Sequence, residues 1–175
     1  MILEKFLPSE RDSWIWKLAD LSDVTGIVTL AQRHFENEIT EVFEPNPQLF
    51  AKHVSVAIVE QSYDPRRLQL IVAVDRTTHQ IIAYAWLTRG IYMTYATDEV
   101  AEASFAHIRM DLPLRTRLTI MAQILQQWEM WCHICGIPVI VSTTIREDQS
   151  GFLRLHEQAD YRIRGSFAFK RITDA

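Results

Sequence analysis

The amino-acid sequence predicts one mixed α/β domain, in which a central sheet of six to seven strands is flanked by about four helices. The chain has 175 residues, a length that fits a single domain covering residues 1–175. Segments with the apolar pattern of strands are interspersed with segments of helical period. Their order is β-α-α-β-β-β-α-β-α-β, which is typical of an antiparallel front half joined to a βαβ unit.

The front of the chain is predicted to contain one strand and two helices. Trp14 to Ala19 is a short apolar segment that suits a first strand. Ser22 is expected to cap the first helix, because a serine before an apolar helical face is a common N-cap. Pro45 and Pro47 bracket the entry to a second helix, which runs from about Gln48 to Glu60.

Three strands are predicted next. Leu68 to Asp75 and Gln80 to Arg89 are rich in β-branched residues, and the polar residues 76–79 between them predict a hairpin turn. Ala103 to Leu112 is the third strand candidate of this group.

The back of the chain is predicted to hold a long helix followed by three short elements. Pro113 precedes a helix from about Thr116 to Cys135, and Gly136 ends it in the position where glycine is favoured. The remaining elements are a buried strand, a short helix and a final strand or hairpin: Pro138 to Ser142, Ser150 to Ala159, and Tyr161 to Ile172.

Composition excludes several classes of protein. The chain has 18 Lys+Arg against 22 Asp+Glu, and this mild acidity argues against a non-specific nucleic-acid binder. The sequence has no run of 18 apolar residues, so no membrane-spanning helix is expected. The first residues lack the cationic start and apolar stretch of a secretory signal. The 2 cysteines are too few for a disulfide framework, and a soluble protein of a reducing cytoplasm is predicted.

Two segments resemble the GNAT superfamily of N-acetyltransferases. Residues 110–115, MDLPLR, resemble the strand-to-helix junction ahead of the family's Arg/Gln-x-x-Gly-x-Gly/Ala loop. Residues 149–161, QSGFLRLHEQADY, resemble the family's Asn-x-x-Ala-x-x-Phe-Tyr-Glu-Lys-x-Gly-Phe segment. In this comparison Gln149 takes the Asn place, His156 takes the Tyr place, and Glu157 matches outright.

The resemblance implies a GNAT-like fold, in which the two strands around the long helix splay apart to form a V-shaped cleft for acetyl-CoA. Backbone N–H groups of the family's loop bind the pyrophosphate at the helix start. His156 stands where the family's Tyr protonates the CoA thiolate, and Glu102 and His107 lie near the strand that carries the general base in many relatives. The positions that correspond to coenzyme contacts are Arg115, Arg117, Leu118, Thr119, Ile120 and Gln149.

The chain departs from the family pattern at its most diagnostic positions. Leu118 and Ile120 occupy both glycine places, although glycine is what lets phosphates approach the backbone closely. The favoured hypothesis is therefore a non-catalytic interaction or structural protein without a cofactor. In its architecture and its glycine-poor loop the sequence resembles the GNAT-like internal virion proteins of short-tailed phages. This resemblance would place the chain in a phage particle. Two alternatives stay open: an active acetyl-CoA-dependent N-acetyltransferase acting on a primary amine, and a regulatory module that binds CoA without turnover.

Two further motifs each have a structural and a functional interpretation. Cys132 and Cys135 form a Cys-x-x-Cys pair at the end of the long helix. A redox pair normally opens a helix and a zinc site needs two more ligands, so core cysteines and no metal site are predicted. Four acidic residues between the first two helices form either a solvated loop or a lip that attracts a cationic amine: Glu36, Glu38, Glu41 and Glu44.

Composition also predicts protein partners or self-assembly. Interface cores are enriched in aromatic residues, Met and Arg and are poor in Lys. This chain has 14 arginines among its 18 basic residues, together with 5 tryptophans. The segment Ile91 to Tyr95 is the strongest candidate for an exposed interface. Several of six large apolar side chains are expected to be exposed: Trp14, Trp16, Phe43, Tyr92, Met93 and Tyr95.

Overall fold

The computed structural model of the chain describes residues 12–38, 43–92, 94–144 and 150–164. These residues form five strands and four α-helices. In chain order they are β1 Trp14–Leu18, α1 Val24–Glu38, α2 Pro47–Tyr63, β2 Leu68–Asp75, β3 Ile81–Tyr92, β4 Glu99–Ile108, α3 Leu114–Cys135, β5 Val139–Ser142 and α4 Ser150–Gln158.

The five strands form one mixed sheet in the order β1-β2-β3-β4-β5. The first four strands pair antiparallel with their neighbours, and β4 pairs parallel with β5. This confirms the predicted βαβ unit, since α3 is long enough to carry the chain back to the start of a parallel strand. The register of β4 and β5 runs from Val100 opposite Val139 to Ala103 opposite Ser142.

The described residues form five strands, fewer than the six to seven predicted. Most of the final strand predicted over Tyr161 to Ile172 lies outside the described residues, and residues 161–164 are not in a strand. Within that stretch the half-buried Tyr161 ring packs edge-on against the ring of His156 in α4. Tyr161 is therefore oriented by contact with a helix and not by strand pairing.

A hydrophobic core lies on each face of the sheet. On one face α3 buries Ile120, Leu125 and Trp128 against the sheet. On the other face α1 and α2 bury Ile27 and Val54. The sheet is thus covered on both sides, which explains why β2 is buried along most of its length and has no alternating polar face.

The first helix begins with a different cap from the one predicted. Asp20, not Ser22, is the N-cap of the short 3₁₀ turn Leu21–Asp23 that leads into α1. Its side chain accepts a hydrogen bond from the Ser22 backbone N–H at 2.8 Å, and the Asp23 carboxylate accepts one from the Asp20 backbone N–H at 2.9 Å. Hydrogen bonds from Lys17 and Ser22 lower the pKa of Asp20 to about 2. The Ser22 hydroxyl group does not act as the cap, because it donates a hydrogen bond to the Asp20 carboxylate.

The hairpin of β3 and β4 is longer at its turn end than predicted, because β3 continues to Tyr92 and β4 begins earlier. β4 begins at Glu99 and not at Ala103, so Glu102 lies inside the strand and does not precede it. Arg89 of β3 stabilises this additional strand pairing, because its Nε and Nη2 each lie 2.6 Å from an oxygen of Glu99. Gly90 permits the local bulge with a φ of 93°. β4 ends at Ile108, short of the predicted Leu112.

The two tryptophans of β1 do not belong to an exposed surface. Trp14 is buried and Trp16 is half-buried. Both indole N–H groups donate to Oε1 of the buried Gln123 in α3, at 3.0 and 2.7 Å. A single core glutamine therefore draws both rings inward. Phe43, Tyr92 and Tyr95 are exposed as predicted, and Met93 lies outside the described residues.

None of the helices in the described ranges is both long and apolar enough to cross a membrane.

Candidate functional site

A cleft of about 440 Å³ opens where β4 and β5 separate. The two strands pair over four residues, up to Ala103 and Ser142. β4 then continues to Ile108, while the chain after Ser142 leaves the sheet. The starts of α3 and α4 close the remaining sides of the cleft. This separation is the V-shaped splay that the sequence predicted.

A β-bulge shapes the strand wall of the cleft. Trp86 pairs with Phe105 and Leu87 pairs with Ala103, so Ser104 is an extra residue in β4. Such a bulge bends a strand and changes which side chains face each surface. Beyond it, Phe105 packs in the core beneath α1 and α2, while Ala106 packs on the α3 side.

His107 is the predicted catalytic candidate that lines the cleft. It is buried, and its Nδ1 lies 2.7 Å from the Tyr84 hydroxyl oxygen. Its ring stacks on the ring of His34, with centroids 4.3 Å apart and planes 11° apart. The edges of Phe35 and Phe105 pack around it. The ring is therefore fixed in position by aromatic neighbours and by the Tyr84 hydroxyl group.

Glu102 is not a wall residue of this cleft. It is exposed in β4, opposite Thr88 of β3 and Val141 of β5. It lies on the strand before the bulge, whereas the cleft wall on β4 begins at Ala103. The structure therefore separates Glu102 from His107, although the two are close in sequence.

The start of α3 forms a second side of the cleft. The helix begins at Leu114, two residues before the predicted Thr116, so the segment compared with the family's glycine loop lies within the helix. Arg117 and Leu118 line the cleft. Ile120 is fully buried in the core, and the Thr119 hydroxyl donates to the Arg115 carbonyl oxygen at 3.0 Å.

The helix start itself offers free backbone donors. Pro113 is the N-cap residue of α3 and makes no side-chain capping bond. The Arg117 N–H bonds the Pro113 carbonyl, so the N–H groups before it have no intrahelical acceptor. Arg115 is exposed beside them. Gln149, the remaining predicted coenzyme contact, lies outside the described residues.

His156 lies behind the cleft wall and not on the outer surface. It is buried in α4, and its Nε2 is 3.0 Å from Oγ of Ser142, which lines the cleft. Its Nδ1 is 2.9 Å from the Phe152 carbonyl oxygen. Burial lowers the pKa of His156, and the Phe152 hydrogen bond opposes this only in part.

Sequence reasoning missed Ser142 and the apolar lining of the cleft. Ser142 ends β5, and Thr143 and Thr144 follow it, so polar residues stand at a strand end, which is a typical position for site residues. The strand β5 itself is exposed to half-buried and not buried as predicted. The apolar lining comes from separate elements, so no local pattern groups it. It includes Phe35, Met110, Met121, Phe152 and Leu155.

The two cysteines and the described acidic residues Glu36 and Glu44 lie apart from the cleft lining. Burial raises the pKa of Cys132 to about 12, so this thiol stays protonated and packs in the core. The described residues contain no group of three His, Cys, Asp or Glu side chains arranged to hold a metal ion. Glu36 and Glu44 are exposed, and Glu41 with the side chain of Glu38 lies outside the described residues.

The chain superposes on solved acetyltransferase structures over almost its whole length. An aminoglycoside 6'-N-acetyltransferase from Acinetobacter baumannii has a TM-score of 0.66 at 15% identity, covering 92% of this chain and 99% of that chain. Glucosamine-6-phosphate N-acetyltransferase from Arabidopsis thaliana has a TM-score of 0.64 at 12% identity, covering 93% and 100%. A ribosomal-protein-alanine N-acetyltransferase from Brucella melitensis biovar Abortus 2308 has a TM-score of 0.62 at 12% identity, covering 91% and 99%.

These comparisons establish the fold. No family model and no curated protein matches the sequence. At identities of 12 to 15%, structural similarity shows shared architecture and leaves the chemistry to the residues of this chain. The chain has a GNAT-like fold, as the resemblance of its sequence implied.

Proposed function

We propose that this protein binds the acyl-pantetheine arm of acetyl-CoA in the cleft and transfers the acetyl group to a primary amine. The observation that carries the proposal is the cleft itself, which lies between the separated ends of β4 and β5 in a GNAT fold and has a fixed histidine in its wall. The proposal thus adopts the active N-acetyltransferase, which the sequence by itself ranks second because Leu118 and Ile120 occupy the family's glycine places.

The separated edge of β4 suits the pantetheine arm. Residues 104–108 continue β4 beyond its pairing with β5. The β4–β5 ladder ends at Ala103 and Ser142, so this edge of β4 is not paired with β5 beyond that point. An extended ligand with amide groups can take the place of the missing strand, in the manner of β-augmentation.

The bulky residues in the glycine places do not fill the cleft. Ile120 points into the core, so only Leu118 of the pair borders the cleft, where it is 43% exposed. The coenzyme phosphates would lie at the N–H groups of the α3 start, next to the Arg115 and Arg117 guanidinium groups. Cations at a helix N-terminus oppose the helix dipole, and a bound anion would relieve this repulsion.

His107 is assigned the role of proton acceptor for the amine. Its imidazole lines the cleft and is held by the Tyr84 hydroxyl group. Histidine is the side chain whose ordinary pKa suits proton transfer near neutral pH. The acetyl-CoA thioester would supply the activated acyl group. Glu102 receives no role in the chemistry, because it does not line the cleft.

Calorimetric titration with acetyl-CoA tests the proposal. The wild-type protein is expected to bind with micromolar affinity. Ala106→Trp fills the cleft, since Ala106 is a wall residue, and should weaken binding by at least about tenfold. Ala96→Trp places the same ring on an exposed turn and should leave the affinity unchanged. The absence of heat with the wild type, or equal affinity in Ala106→Trp, contradicts the proposal.

A second candidate function is a non-catalytic interaction protein that forms part of a phage particle. It is favoured by the lack of glycine between Gly90 and Gly136, which spans the whole coenzyme-loop region. It is also favoured by exposed aromatic side chains, because Tyr92 is 62% and Tyr95 is 89% exposed. Sedimentation at micromolar concentration tests it together with the titration. A chain that self-associates and gives no heat with acetyl-CoA fits this candidate.

A further inference from the structure

A serine and a histidine form a second chemical feature at the cleft, which the proposed reaction does not use. Ser142 is the last residue of β5 and lines the cleft. Its Oγ lies 3.0 Å from Nε2 of His156, which is buried behind it. This separation is within the range found between a catalytic nucleophile and its base.

The hydrogen positions on the imidazole follow from its partners. Nδ1 lies 2.9 Å from the Phe152 carbonyl oxygen, and a carbonyl oxygen only accepts hydrogen bonds. Nδ1 therefore carries the hydrogen, and in the neutral ring Nε2 is the acceptor that faces the Ser142 hydroxyl group. Burial lowers the pKa of His156, which favours this neutral form at pH 7.

The imidazole is held in this orientation from both sides. The Phe152 ring packs against it with a centroid distance of 3.8 Å, and the Tyr161 ring meets it edge-on at 4.9 Å. A base oriented by a third group is the arrangement that activates a serine. Here the Phe152 carbonyl oxygen orients the base.

We propose that Ser142 and His156 are a nucleophile and base pair that accepts an acyl group from an activated ester or thioester held in the cleft. Ser142 Oγ forms a bond to the acyl carbon, and the bond from that carbon to the leaving oxygen or sulfur breaks. The hydroxyl proton passes to His156 Nε2 and then to the leaving group, so atoms and charge balance. The inference rests on the proposed function only for the identity of the thioester donor.

Acetylation by p-nitrophenyl acetate tests the pair without any coenzyme. After incubation with this ester, intact-protein mass and peptide mapping should locate one acetyl group on Ser142. Ser142→Ala should abolish that acetylation. His156→Gln can still accept a hydrogen bond from Ser142 but is not a base, so it should slow the reaction by roughly a hundredfold. Ser62→Ala is the matched control, because Ser62 is an exposed serine of α2 outside the cleft lining and should react no differently from the wild type.

The outcomes separate this inference from the proposed function. Acetylation confined to lysines, or equally fast at Ser142 in wild type and His156→Gln, overturns the nucleophile–base pair. The wild-type peptide map decides the site by itself, so a variant that does not fold leaves the test intact. A protein acetylated on Ser142 that gives no heat with acetyl-CoA retains this inference and loses the proposed function. A protein that binds acetyl-CoA but is not acetylated on Ser142 retains the proposed function and loses this inference.

Discussion

His156 is 1% exposed, and both of its ring nitrogens have hydrogen-bond partners. The sequence placed this residue at a family tyrosine position but did not predict that its neighbour would be a serine from another element. Ser142 and His156 are 14 positions apart, and residues 145–149 between them lie outside the described ranges. Only the packing of α4 against the end of β5 brings the two side chains together.

We expect acidification to destabilise the fold through His156. Its folded-state pKa lies below the usual 6.5, so the unfolded chain binds more protons as the pH falls through that value. The stabilising contribution is complete above about pH 6.5 and is lost as the pH falls toward the folded-state pKa. The free energy of unfolding, measured by urea titration between about pH 7.5 and 5.5, should fall less in His156→Gln than in the wild type.

An exposed histidine provides the control for this pH series. His133 lies near the end of α3, and His133→Gln should retain the wild-type dependence on pH. Carboxylates with lowered pKa values, such as Asp20 and Asp75, titrate at more acidic pH and do not interfere. An identical pH dependence in His156→Gln and wild type would contradict the assignment.

At the scale of elements, strong local signals set the helices and the first hairpin. The apolar period and Gly136 predict α3 and its end correctly, because Gly136 adopts a φ of 72° and its N–H bonds the last turn. The start of β4 was not predictable in this way. Asp98 and Glu99 resemble turn residues, but the Glu99 carboxylate is held by Arg89 of the neighbouring strand. The ion pair with Arg89 therefore makes β4 begin at Glu99, where local propensity predicts a turn.

We expect Gly136→Ala to destabilise the protein by about 1 kcal/mol, because a Cβ disfavours the left-handed conformation. The space around Gly136 is open, so the effect is conformational and not steric. Gly151→Ala is the matched substitution in helical backbone, also in open space, and should be stabilising by up to about 1 kcal/mol. Urea denaturation measures both changes. A Gly136→Ala variant as stable as wild type would show that the cap conformation is not strained by alanine.

At the scale of the whole molecule, the two hydrophobic cores lie on opposite faces of one sheet. Strands β2 and β3 contribute residues to both, including Ile71 to one core and Leu70 to the other. Loss of either core would therefore expose the strands that support the other. The single domain predicted over residues 1–175 should behave as one cooperative unit.

We expect a single thermal unfolding transition with an enthalpy of about 120 kcal/mol, on the basis of roughly 0.7 kcal/mol per residue. Scanning calorimetry should give equal calorimetric and van't Hoff enthalpies, and near- and far-ultraviolet circular dichroism should give the same midpoint. Two separate transitions would instead indicate that the α1–α2 side and the α3 side unfold independently.

The sequence by itself determined the α/β class, the order of the elements from β1 to α4 and the parallel pairing around α3. These follow from hydrophobic period, a helix-ending glycine and chain order. The GNAT-like fold was implied by the resemblance of residues 110–115 and 149–161 to that family. Only the tertiary structure decided the composition of the cleft. Its wall joins Phe35, His107, Arg117 and Ser142 from four different elements, and a bulge at Ser104 sets which β4 side chains face it. Such a site depends on register and packing between distant segments, so no spacing within one segment reveals it.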